Sequence, residues 1–192
     1  MSSEQVQGPS GIGAPASGER LVYFTGKQND DSTALTTTRL PDKGVVCFTE
    51  PGGVKGRGID VTKPQTAILT LFAGIVIGRE GRTGEIAVAG DGSGITAGNL
   101  IPGWLKVVSA SAAIQALTKA NMTKPSTAPF LIGPVNGSWN LEAITLSVAT
   151  GAANFLALAQ SVALALETAD TSVTAALKWV RLGGVVGGLE TP

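Results

Sequence analysis

Residues 67–77 read AILTLFAGIVI, a nearly continuous apolar run broken only by Thr70 and by Gly74. Its β-branched residues and interior glycine disfavour a helix, so the run predicts one bent strand or two short ones. Working downstream, residues 78–84 (GREGRTG) form a loop, and residues 85–89 (EIAVA) alternate with Ile86 and Val88 on one face. A second loop, GDGSG, fills residues 90–94, short apolar pieces flank Gly98-Asn99, and residues 104–108 (WLKVV) give another strand. Working upstream, residues 21–24 (LVYF) and 45–49 (VVCFT) are short strands. Between them lie a polar turn over residues 26–32 and the extended Thr36, Thr37 and Thr38. Turn signals at this spacing mark a sandwich or barrel.

The rest of the chain changes character. Residues 109–121 (SASAAIQALTKAN) are Ala-rich, place Ile114 and Leu117 three apart, and offer Ser109 or Ser111 as a cap. They predict one short helix. Residues 122–140 carry Pro125, Pro129, Gly133, Pro134 and Gly137 and predict an extended insertion that is either functional or packed on another chain. Leu156, Leu158, Gln160, Val162, Leu164 and Leu166 are spaced by two, which predicts a strand with its large side chains on one face. A turn over residues 167–172 then leads into the alternating Val173, Ala175, Leu177 and Trp179, completing a hairpin with Trp179 on its core face. The fold expected is mainly β, a small sandwich or barrel over residues 21–192. It carries one short helix at 109–121, the insertion at 122–140, and an extended N-terminal arm over residues 1–20. The arm is rich in Gly, Ser, Pro and Ala, and alone it cannot bury enough surface to offset its ordering entropy.

Composition excludes several chemistries. The 192 residues include no histidine and one cysteine, so Ser-His-Asp and Cys-His nucleophile pairs, His-containing zinc sites and an intrachain disulfide are absent. Fourteen basic and fourteen acidic residues give a net charge of zero, which speaks against general nucleic-acid binding. Neutrality also removes the repulsion that keeps monomers apart, which an assembling protein tolerates. MSSEQVQGPS lacks the basic and apolar regions of a signal peptide, and the uncharged stretch between Glu142 and Glu167 is too polar and too small-residue-rich for a membrane span.

No motif selects a reaction. There is no Walker pattern, Gly92-Ser93-Gly94 with Gly98 misses the dinucleotide spacing, and Ser93 lacks both the nucleophile-elbow spacing and a histidine base. Asp60, Glu80, Glu85, Asp91, Glu142, Glu167 and Asp170 could supply a carboxylate pair for glycoside hydrolysis, but no spacing picks two. Cys47, in Val-Val-Cys-Phe, reads as a small buried apolar residue. Asn121-Met122-Thr123 and Asn136-Gly137-Ser138 match glycosylation sequons by chance. Trp104 and Trp139 are candidates for stacking on sugars or for anchoring an interface, Trp139 favouring the interface.

Three stretches carry a resemblance. Gly78-Arg79, then Gly84-Glu85-Ile86-Ala87-Val88, then Ile95-Thr96-Ala97-Gly98-Asn99-Leu100 resemble the Gly-rich loop, strand and turn of small phage head decoration, or structural cement, proteins. The closing residues 162–170 and Lys178-Trp179-Val180-Arg181-Leu182 look similar to the final hairpin of those proteins. The resemblance implies a β-rich, often trimeric protein on the outer surface of a capsid, without catalytic residues or cofactors. The expected partners are the major capsid protein and further copies of the chain, with no nucleic acid and no membrane. The expected location is the virion, after synthesis in the host cytoplasm. Residues expected to meet partners are Ile12, Arg20, Tyr23, Phe24, Trp104, Phe130 and Trp139. Alternatives are another virion subunit, such as a coat or fibre-base protein, and a carbohydrate-binding β-module.

Overall fold

The computed structural model describes residues 18–24, 40–49, 60–84, 101–119, 130–144, 151–167 and 176–183. The arm over residues 1–17, with Ile12, lies outside these, as do Thr36–Thr38, the strand expected at 85–89 and the GDGSG loop. The chain is mainly β and builds two closed five-stranded barrels. The first contains β1 (Glu19–Phe24), β2 (Val45–Phe48), β3 (Asp60–Thr62), β4 (Phe72–Arg79) and β5 (Gly103–Val108). The second contains β6 (Ser111–Thr118), β7 (Phe130–Pro134), β8 (Leu141–Ala143), β9 (Ala163–Ala165) and β10 (Ala176–Leu182). The helix α1 (Gly151–Gln160) precedes β9, and a 3-10 turn over Thr66–Ile68 precedes β4.

Both barrels have one topology. In each, the first strand runs parallel to the third and antiparallel to the fifth, and the remaining pairs, second with third, second with fourth and fourth with fifth, are antiparallel. Registers match too. Phe24 faces Gly103 and Val61, and at the same step Thr118 faces Ala176 and Leu141. Val76 faces Val107 where Ala165 faces Val180. The 3-10 turn and α1 both sit between the third and fourth strands. The chain is therefore a structural tandem repeat.

Inside the first barrel, alternation aims Val22, Phe24, Val46, Val61, Val76, Leu105 and Val107 into one buried cluster. Val45, Ile75 and Val108, one residue out of phase, point outward and join the core of the second barrel. The two barrels thus share apolar packing. Two backbone bonds add to it, Leu117 N–H to the Lys43 carbonyl at 2.9 Å and Val45 N–H to the Trp139 carbonyl at 2.8 Å.

Four expectations are corrected. The helix expected at 109–121 is instead β6, whose Ala116 and Thr118 face inward. Ile114 and Leu117 fall on opposite strand faces, because pairing with β8 and β10 outweighs the helix propensity of alanine. The first half of the strand expected from Leu156 to Leu166 is α1; its Ala- and Leu-rich composition prevails, and the two-residue spacing of leucines there is incidental. Further on, β9 does alternate, but Ala163 and Ala165 point inward, opposite Ile132 and Phe130 of β7, which supply the bulk there, and Leu164 points outward. The Pro-rich 122–140 is not an excursion in its second half, which supplies β7 and its turn; residues 120–129 lie outside the described ones. Finally, Glu19 and Arg20, placed in the arm by composition, belong to β1, and Gly18 accepts a 3.0 Å bond from the Ser109 N–H.

Candidate interface

The residues expected at an interface, Ile12 aside, divide by burial. Phe24, Phe130 and Trp139 are buried in the cores and present no surface to a partner, which corrects their assignment. The Trp139 indole packs against Phe24 at 6.0 Å between ring centroids, with the Lys63 ammonium 5.6 Å above it. Its place between the barrels comes from the turn at Ser138 and Gly137, a glycine at φ 69°. Arg20 shares the inward parity of Val22 and Phe24 and closes an end of the first barrel. Its guanidinium donates to the Ala73 carbonyl at 2.6 Å and lies 4.6 Å from the Phe48 ring centroid. Burial pushes its pKa down.

Tyr23 and Trp104 do point outward. They are paired across β1 and β5, and their rings meet edge to face at 5.4 Å, which fixes the indole. Trp104 is 36% exposed, and its neighbour Leu21 is 59% exposed. Beside them lies a groove of about 440 Å³ lined by Leu21, Gly78, Arg79, Glu80, Trp104 and Lys106. Its charged rim is partly neutralised: Lys106 pairs with Glu19 at 2.8 Å, and Arg79 pairs with Asp42 and donates to the Leu40 carbonyl.

The second barrel carries a corresponding face that sequence reasoning missed. Leu166, Leu177 and Trp179 are exposed, Trp179 at 44%, beside the half-buried Leu117. Trp179, expected on the hairpin's core face, is outside; Val180 and Leu182 are the inward residues of β10. The hairpin pairing itself is present, with Val180 opposite Ala165, while residues 168–175 lie outside the described ones. Side-chain size is no guide to burial on these strands, because β6 and β9 turn alanines inward while Leu177 and Trp179 of β10 face out. A third outward group, Phe155 and Leu156, stands on α1.

Cys47 is buried, as its apolar neighbours suggest, and burial raises its thiol pKa to about 12. Among the described residues no group of three or more His, Cys, Asp or Glu is placed to hold a metal ion. Among them, too, no helix is long and apolar enough to cross a membrane. Both barrels hold large apolar side chains outward. No family model matches the chain, and neither a curated protein nor a solved structure is found similar to it.

Proposed function

We propose that the chain is a virion structural subunit, a decoration protein that binds the outer surface of a phage head and bridges neighbouring capsomers. The observation that carries this reading is the set of large apolar side chains held outward on two closed barrels: Leu21 and Trp104 on one, Leu177 and Trp179 on the other. Exposed groups of this kind, clustered and rimmed by charge, suit protein partners. The closed sheets favour adhesion by side chains, because among the described strands no edge is free to accept an added strand. The sequence resemblance over the glycine-rich loop and the closing hairpin supplies the setting. The chain would act by additive contact: the barrels sit on the shell, and repetition makes weak contacts collectively strong. Adding the purified chain to heads that lack it should saturate at a fixed copy number and raise their resistance to heat. Heads that gain neither mass nor heat resistance would overturn the reading.

One observation favours a second reading. An indole beside a groove with a charged rim is also suited to stacking on a pyranose ring, so the Trp104 groove could belong to a carbohydrate-binding module. Glycan binding lost in Trp104→Ala, without capsid attachment, would replace the first reading by this one.

A further inference from the structure

We draw no further inference here: the strongest candidate, the pair of outward apolar faces on the first and fifth strands of the two barrels, Leu21 with Trp104 on one and Leu177 with Trp179 on the other, carries nothing because nothing in the structure shows what covers them.

Discussion

The backbone N–H of Val45 donates to the carbonyl of Trp139 at 2.8 Å, so the second strand of the first barrel starts on a hydrogen bond from the second barrel. Trp139 in turn buries its indole in the core of the first barrel. Each barrel therefore completes the other, and the two should unfold together. Trp139→Ala should cost about 3–5 kcal/mol, the usual loss for a buried large aromatic. Urea unfolding followed by near- and far-ultraviolet circular dichroism checks this: one coincident transition, shifted to lower urea, is expected.

Gly133 is needed for the docking of α1. A Cβ at this position would lie 2.3 Å from the Gln160 carbonyl oxygen and 2.7 Å from the Ile144 side chain. The backbone oxygen cannot yield without moving the end of the helix. Gly133→Ala should therefore destabilise by about 1–3 kcal/mol, the range for overpacked sites. Thermal melting of the variant against wild type measures it, and an unchanged melting temperature would contradict the placement of α1.

Arg20 should behave as a barrel plug rather than a surface charge. Its bond to the Ala73 carbonyl and its stacking over Phe48 leave the guanidinium partly desolvated, which is why its pKa is pushed down. Arg20→Ala should lose about 1–3 kcal/mol, with little relief from added salt, because the partners are a carbonyl and a ring rather than an exposed carboxylate. Stability measured at low and high ionic strength separates the two cases.

Cys47 should be unreactive in the folded chain. Burial holds the thiol protonated, with its pKa raised from 9.0 to about 12, so alkylation should require unfolding. The unfolded chain ionises the thiol above about pH 9 while the fold does not. This contribution to stability is therefore complete below that pH and is lost as pH rises towards the folded value. Its slope is at most about 1.4 kcal/mol per pH unit for one proton. Comparing wild type with Cys47→Ala across this alkaline range isolates it.

Lys43 sits at φ 64° in the turn between Pro41 and Gly44, a left-handed conformation that costs a side-chain-bearing residue about 1–2 kcal/mol. Lys43→Gly should remove most of that strain and raise stability by up to about 1 kcal/mol after the added entropy of the unfolded glycine. Its main-chain bonds, from its own N–H to Val76 and from Leu117 to its carbonyl, do not depend on the side chain. Chemical denaturation gives the sign.

The strands rich in β-branched residues were legible in the sequence. Val45-Val46, Ile75-Val76-Ile77 and Val107-Val108 announce β2, β4 and β5, and alternation places Val46, Val76 and Val107 inward. Legibility ended where alanine took over. Ala116, Ala163 and Ala165 point into the second barrel beside Phe130, Ile132, Leu141 and Val180, yet alanine carries no strand signal and is the best helix former. That one ambiguity exchanged β6 for a helix, α1 for a strand, and the inward for the outward face of β10. The repeat was not legible, because Tyr23 and Leu117, or Lys106 and Trp179, share a register position but no chemistry. Of the expected interface residues, Tyr23 and Trp104 could be read from alternation beside Val22 and Leu105. The same alternation places Phe24 inward with Val22, whereas the burial of Phe130 and Trp139 follows from long-range closure, which local patterns do not carry.

The most direct test of the central claim is to fractionate the native source by size and follow the chain. A decoration protein sediments with particles of capsid size, at a copy number fixed by the lattice, and is exposed to added protease on their surface. A chain recovered only in the low-molecular-weight fraction, with none on the particles, would contradict the account.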